Sequence, residues 1–368
     1  MAFPDNPSHG LRRRAGGWVF WISAGLVALA GAALAGGFFF LIPLLAGAPS
    51  KPIPPAPAEP QAPPADRWQE RLDAGESLMA EEDYAGALTA FAALAADLPD
   101  RPEPRARMEM IAALLRSNGF PMTPAKFAAL RPALEAASRH QVVSARILLG
   151  EQLRDIAPDE SLKFFRLAAE SGQTEAMTQA GLMISNGRGA PAKDLKQAVA
   201  WFERASAAGD TDAMTALAEC LIHGKGIEAN PRRAAELLRA ASAFQHPRAL
   251  NLLGDLYARG IGVPKNPREA FELFSRSAAL GYGDGVANLG ALTMEGEGTA
   301  ADPARAIKIW RSGIAKGFPS CMLNYAKALE SGRGTPADPA QAKHWYREAA
   351  RGGNADAEQW CEKNRVAY

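Results

Sequence analysis

Apolar positions and glycines recur along the second half of the chain with a period of 36 or 37 residues. The most visible marker is a Gly-x-Gly pair that occurs five times. A fixed period of roughly 20 to 50 residues is typical of repeat proteins, in which each unit packs mainly against its neighbours. The pairs are Gly187/Gly189, Gly224/Gly226, Gly260/Gly262, Gly296/Gly298 and Gly332/Gly334.

Each unit is predicted to end with an amphipathic helix that begins at an Asp or Asn residue. In one unit Asn266 is followed by Pro267, then by Ala270 and by the large pair Leu273 and Phe274. An Asx cap with proline at the first helical position is a strong helix start, and the spacing of the apolar residues gives one buried face. Equivalent starts are Asp194, Asn230, Asp302 and Asp338, and glycines at 209, 281, 317 and 353 are predicted to end these helices.

The first helix of each unit has a small residue at its centre, as in Leu253-Gly254. A glycine inside a helix costs about 1 kcal/mol, so its recurrence predicts a neighbouring helix at very close range. The Gly-x-Gly pair then supplies positive-φ positions for the turn. These features predict an all-α fold, an α-solenoid of stacked antiparallel helical hairpins over residues 141–354, with a capping helix at 355–368.

The units resemble Sel-one-like repeats, a family related to tetratricopeptide repeats. Residues 249–281 follow the family's order: a Leu-Gly pair, an aromatic residue, Gly-x-Gly, Asx, alanine, a second aromatic residue, a small pair and glycine. Five units are clear. A sixth, at 145–172, keeps Leu149-Gly150 and Phe164-Phe165 but has no Gly-x-Gly pair, so its hairpin must close differently.

Residues 67–140 are predicted to form a tetratricopeptide-like helical region. Gly75, Ala87, Phe91 and Pro99 lie at the tetratricopeptide offsets, which predicts one such repeat over residues 68–101. The stretch 102–140 has a helical pattern without a repeat signature.

An apolar stretch near the N-terminus predicts a single transmembrane helix at 17–46. About 25 helical residues span roughly 38 Å, enough to cross a bilayer core of about 30 Å. Arg12, Arg13 and Arg14 precede the stretch, so the positive-inside rule places residues 1–16 in the cytoplasm and the repeats in the periplasm, anchored to the inner membrane. The alternative is a signal peptide cleaved near Ala46 and a secreted protein. Residues 47–66 are predicted to be a Pro-rich linker.

Composition excludes several other classes of protein. The net charge is +1, which gives no electrostatic footprint for nucleic acid. Three cysteines and five histidines are scattered without ligand spacing, so we expect no metal, no cofactor and no catalytic group. The Gly-x-Gly pairs end helices instead of following strands, which argues against a nucleotide site. The abundance of alanine and arginine fits a GC-rich bacterial genome.

If the first helices line a groove, a partner is expected to contact the polar positions that vary between units and face outward. This candidate set consists of Asp212, Thr215, Glu219, Arg248, Asn251, Asp255, Asp284, Lys327 and Glu330. The resemblance implies an interaction scaffold, because bacterial members of the family are commonly exported or membrane-bound proteins that bind other proteins.

We therefore expect a membrane-anchored, non-catalytic scaffold or adaptor that binds protein partners on the exported side of the membrane. Two other classes stay open, a periplasmic protein that binds cell wall or glycan and an enzyme of the cell envelope. The enzyme class is the least favoured. Glu219 and Asp255 recur one unit apart, but no histidine or serine repeats beside them.

Overall fold

The computed structural model describes residues 66–119, 122–190 and 194–368, which contain seventeen α-helices and no strand. The helices of the N-terminal part are α1 (Asp66–Ala80), α2 (Tyr84–Asp97), α3 (Glu103–Gly119), α4 (Pro124–Arg139), α5 (Val143–Leu153) and α6 (Pro158–Glu170). They are followed by α7 (Thr174–Asn186), α8 (Leu195–Ala207), α9 (Thr211–His223), α10 (Pro231–Ala243), α11 (Pro247–Arg259) and α12 (Pro267–Ala279). The last five are α13 (Gly283–Glu295), α14 (Pro303–Ile314), α15 (Pro319–Ser331), α16 (Pro339–Arg351) and α17 (Ala355–Lys363).

The structure corrects the predicted localisation. None of the helices in these three ranges is both long enough and apolar enough to cross a bilayer. The longest, α3, has 17 residues, whereas a spanning helix needs about 20 that are mostly apolar. This finding overturns the single-pass inner-membrane location with periplasmic repeats. The predicted anchor at 17–46, its signal-peptide alternative and the linker up to residue 65 lie outside the described residues.

The helices stack as successive hairpins, which confirms the predicted all-α solenoid. Odd-numbered helices are the first of each pair from α7 onward, and each packs against the even-numbered helix that follows it. Each even-numbered helix also packs against the first helix of the next unit, as α8 does against α9 and α10 against α11. One apolar core therefore runs through residues 147–273 and a second through residues 286–361.

The predicted starts of the second helices are confirmed. The Asn266 side chain accepts a hydrogen bond of 3.2 Å from the Glu269 backbone N–H, which satisfies one of the free donors at the start of α12. Asp194, Asn230, Asp302 and Asp338 make the same bond at distances of 2.8 to 3.1 Å.

The two glycines of each Gly-x-Gly pair have different roles. The first is a left-handed C-cap, as Gly332 is for α15 with φ of 72°. The second also has positive φ, and it touches the beginning of the second helix of the preceding unit. A Cβ atom on Gly334 would lie 2.7 Å from the Pro303 carbonyl oxygen. This position therefore requires glycine both for its backbone angle and for close packing between units.

The glycine at the centre of a first helix faces an aromatic ring of its own hairpin. A Cβ atom on Gly254 would lie 2.7 Å from the Phe274 ring, and one on Gly181 would lie 2.5 Å from the Phe202 ring. The prediction of a close neighbouring helix is confirmed. The second helix makes this contact through its aromatic ring.

The unit without a Gly-x-Gly pair closes by a shorter turn, as expected. The helix α5 ends at Leu153, whose carbonyl accepts the backbone N–H groups of Ile156 and Ala157. Pro158 then begins α6 without a side-chain cap. The turn saves the residues that the Gly-x-Gly loop uses in the other units.

Candidate functional site

The first helices α7, α9, α11, α13 and α15 form a surface that we call the first-helix face. Besides packing within their own hairpins, α11 contacts α13 and α13 contacts α15. Helices that also touch their counterparts in neighbouring units lie side by side, so their outer sides form one continuous surface. All nine residues of the candidate set lie on α9, α11, α13 and α15.

Three of the candidate residues with accessible side chains bond to a neighbouring first helix in the stack. Glu219 on α9 pairs with Arg248 on α11 at 2.6 Å. Asp284 on α13 accepts a hydrogen bond of 2.5 Å from the Ser320 hydroxyl on α15. These bonds tie consecutive units together and fix the orientation of the charged groups on the face.

Two of the candidate residues are buried. Thr215 is 1% exposed, and its hydroxyl donates to the Thr211 carbonyl at 2.7 Å. Asn251 is 7% exposed, and its side-chain oxygen accepts a bond of 3.0 Å from the Asn288 amide. The sequence pattern grouped them with exposed positions. Because both side chains are buried, a bound partner would not contact them directly.

Three further candidates leave a charged group at the surface. Asp255 pairs with Arg259 on the same helix at 3.0 Å. Glu330 accepts a bond of 2.7 Å from the Tyr346 hydroxyl, and burial, together with this bond, raises the pKa of Tyr346. Lys327 is exposed and makes no ion pair within the described ranges.

Asp212, the remaining candidate, belongs to a cluster that resembles the nucleophile, base and acid of a hydrolase. His246 Nε2 lies 2.9 Å from Asp212 Oδ1, and His246 Nδ1 lies 3.4 Å from the Thr215 hydroxyl. However, Nδ1 accepts the Ala249 backbone N–H at 3.1 Å as the cap of α11, so its proton is on Nε2, facing Asp212. The hydrogen bond from His246 lowers the pKa of Asp212.

The buried Thr215 hydroxyl donates its hydrogen bond to a backbone carbonyl and not to the imidazole. The role of the cluster is therefore to cap the start of α11. It has no base positioned to activate a nucleophile.

Two cavities open on the first-helix face. One, of about 240 Å³, lies between α7 and α9 and is lined by the Glu219–Arg248 pair and by the buried residues Phe202 and Cys220. The other, of about 190 Å³, lies between α13 and α15, with Trp310 at its base and Lys327 at its edge. Each combines an apolar base with charged groups at the opening.

Trp310 is a core residue. It is 4% exposed, and its indole N–H donates to the Ala287 carbonyl at 3.0 Å. Its ring also forms part of the cavity base, so packing and surface shape depend on the same residue. Among residues that the pattern did not single out, Arg333 between two glycines reaches Glu295 on α13 across the same cavity.

The three cysteines are buried and unpaired. Burial raises the pKa of each thiol, to about 12 for Cys321. Within the described residues, no three His, Cys, Asp or Glu side chains are grouped so that they could hold a metal ion.

Comparison with known proteins identifies the repeat. Six segments match the Sel1 repeat, at residues 148–173, 174–210, 211–243, 247–282, 284–318 and 319–354, and together they cover more than half of the chain. These segments start at α5, so the predicted tetratricopeptide-like repeat upstream stays a prediction. No curated protein matches the chain.

Among the similar solved structures are two bacterial proteins. A Sel1 repeat protein from Oxalobacter formigenes is 28% identical, with a TM-score of 0.51 over 58% of this chain and 84% of that chain. The protective antigen c5321, present in uropathogenic Escherichia coli and described as having an SLR fold, is 20% identical. Its TM-score is 0.55 over 78% of this chain and 58% of that one, and this likeness shows the fold alone.

Proposed function

The chain belongs to the Sel1 repeat family, and we propose that it is a non-catalytic scaffold or adaptor that binds protein partners on its first-helix face. Sel1 repeat solenoids are generally protein–protein interaction scaffolds, typically without catalytic activity. The partner-binding residues that we assign are the exposed and half-buried members of the candidate set, namely Asp212, Glu219, Arg248, Asp255, Asp284, Lys327 and Glu330.

The observation that carries the proposal is the combination of a fixed polar surface with two cavities that have apolar bases. The bonds between first helices hold Glu219, Arg248 and Asp284 in place before a partner arrives. A preorganised surface loses less conformational entropy on binding than a flexible one. Each cavity is large enough for one apolar side chain, which could anchor a partner segment while charged groups at the edge select its orientation.

The buried residues contribute indirectly. Thr215 and Asn251 bond within and between first helices below the surface, so they support the face without touching a partner. Replacing either of them would change binding only by moving the helices.

The proposal is tested by affinity capture with the full chain and two charge-reversed variants, followed by quantitative mass spectrometry. Arg248→Glu with Lys327→Glu changes the first-helix face. Arg232→Glu with Lys308→Glu makes the same change of charge on exposed positions of second helices. We expect the first variant to lose at least about tenfold of the specifically captured protein, because charge reversal at an interface opposes association.

The control variant should capture as much as the unchanged chain, and circular dichroism should show equal helix content for all three proteins. Equal capture by both variants, or no specific partner for the unchanged chain, would contradict the proposal.

A further inference from the structure

A cavity away from the first-helix face lies between α4 and α6. Its volume is about 580 Å³, within the range of about 300 to 1,000 Å³ that is usual for ligand pockets. The cavity lies where the family match begins, at the junction between the N-terminal helices and the regular repeats. Its lining includes Arg139 from α4, Arg146 from α5 and Lys163 from α6.

Arg146 places a guanidinium in this cavity although its side chain is 8% exposed. Its nitrogens donate to the carbonyls of Ser138 and Leu167 and to the Ser171 hydroxyl, at 2.9 to 3.4 Å. Four bonds engage four of its five N–H groups, so one N–H on Nη2 has no acceptor among the described residues.

The acceptors of Arg146 are neutral, whereas buried charges in proteins are usually paired. Glu109 and Glu170 act on it only at a distance, and burial lowers its pKa. The carbonyls of Ser138 and Leu167 belong to the last turns of α4 and α6, whose helix dipoles offset part of the charge. Arg146 is therefore a fixed, largely desolvated hydrogen-bond donor.

Arg139 and Lys163 supply further positive charge at the same cavity. Both are exposed, and neither makes an ion pair with any residue that the structure describes. The only carboxylates in the lining belong to Glu135 and Glu160, and both bond to Arg131, at 2.7 and 2.5 Å. Both carboxylates are thus paired with Arg131 and neither is paired with Arg139, Arg146 or Lys163. The lining therefore carries an excess of positive charge.

An apolar surface lies beside the cations. Phe164 and Leu167 line the cavity from α6, and Leu167 lies where Arg146 reaches its carbonyl. A ligand that fits would carry a negative group next to an apolar one.

We propose that the cavity between α4 and α6 binds an acidic segment of a protein partner, with a carboxylate at Arg139, Arg146 and Lys163 and an apolar neighbour on Phe164. The choice of a protein segment rests on the scaffold function proposed above. A carboxylate is the anion that unmodified protein segments carry, and it is complementary to the positive charge of Arg139, Arg146 and Lys163.

The test measures the binding of a fluorescein-labelled peptide to the full chain by fluorescence anisotropy. The peptide carries adjacent glutamates flanked by leucines, with a blocked carboxyl terminus, and the matched peptide carries glutamines instead. Arg139→Glu with Lys163→Glu removes the unpaired cations without touching Arg146, which holds the ends of two helices. Arg232→Glu with Lys308→Glu is the control with the same change of charge.

We expect the glutamate peptide to bind at least about tenfold more tightly than the glutamine peptide. Its affinity should fall as the salt concentration rises. The Arg139 and Lys163 variant should lose at least about tenfold of this affinity, and the control variant none. No binding of the glutamate peptide, equal binding by the two charge-reversed variants, or preference for a phosphoserine peptide would overturn the proposal.

The outcome is separable from that of the first-helix face. The variant with Arg248→Glu and Lys327→Glu should bind the glutamate peptide normally. If the first-helix variant loses partner capture while the glutamate peptide does not bind, the scaffold function is supported and only the acidic-segment proposal fails.

Discussion

At the scale of single residues, several hairpins pack a glycine of the first helix against an aromatic ring of the second. Gly254 lies against the Phe274 ring, and Gly290 lies against the ring of Trp310. In the unit that has Ala218 at the same position, the aromatic position is occupied by the smaller Leu238. In the hairpins that have it, the mid-helix glycine gives close packing room to the ring that faces it, whereas the last hairpin has Ala326 and Tyr346 at the corresponding positions.

The substitution Gly254→Ala tests this packing. Alanine favours a helix by about 1 kcal/mol over glycine. However, the added Cβ atom would lie 2.7 Å from the Phe274 ring, which is 3% exposed and has little room to move. Overpacking of a core costs about 1 to 3 kcal/mol, so we expect the free energy of unfolding to fall by about 1 kcal/mol. Urea unfolding followed by circular dichroism measures the change.

A double-mutant cycle supplies the control. Gly254→Ala combined with Phe274→Leu reproduces the Ala218/Leu238 pair, so its loss of stability should be smaller than the sum of the two single losses. Strict additivity, or a Gly254→Ala variant more stable than the unchanged protein, would refute the account of the glycine.

At the scale of elements, each helix has a start and an end that can be traced to particular residues. Asn266 caps α12 and Gly260 ends α11 with φ of 72°. His246 performs the same capping role for α11 where other units use a different residue, and it simultaneously bonds Asp212 on α9. Caps and connections between units therefore use the same side chains.

The ends of the stack should open before its interior. The helix α17 covers one side of α16, where Trp360 stacks on Tyr346 with ring centres 3.9 Å apart. Cys361 on α17 and Cys321 on α15 are both fully buried, and burial raises the pKa of both thiols. Thiolate is the reactive form, so neither cysteine should react until its helix opens.

We expect Cys361 to react with Ellman's reagent several times faster than Cys321 in variants that keep one cysteine each. The reason is that α17 packs mainly against α16, whereas α15 is enclosed by α14 and α16. The rates are followed spectrophotometrically at pH 8 without denaturant. Equal rates would mean that the C-terminal units open together and would contradict stepwise opening.

At the scale of the whole molecule, the repeat could be predicted and the contacts between units could not. The caps and glycines are local signals, so Asn266 and Gly332 were readable from spacing alone. The pairs Glu219–Arg248 and Asn251–Asn288 join residues about one unit apart, at positions whose residue types vary between units. A periodic pattern cannot identify such pairs, because it carries no information on which variable positions meet.

The candidate site was predictable to the same extent. The sequence pattern grouped polar positions of the first helices, but helical spacing did not distinguish the exposed Asp212 from the buried Thr215 one turn away. The cavity between α4 and α6 had no sequence signal, because it arises where irregular helices meet the regular repeats.

The most direct test of the scaffold function is site-specific photo-crosslinking. A benzophenone amino acid replaces Lys327 on the first-helix face or, as the matched control, the exposed Lys308 on α14. We expect a crosslink to a distinct protein from position 327, absent from position 308 and strongly reduced by Arg248→Glu. Crosslinks from position 308 alone, or the same products from both positions regardless of Arg248, would contradict binding on the first-helix face.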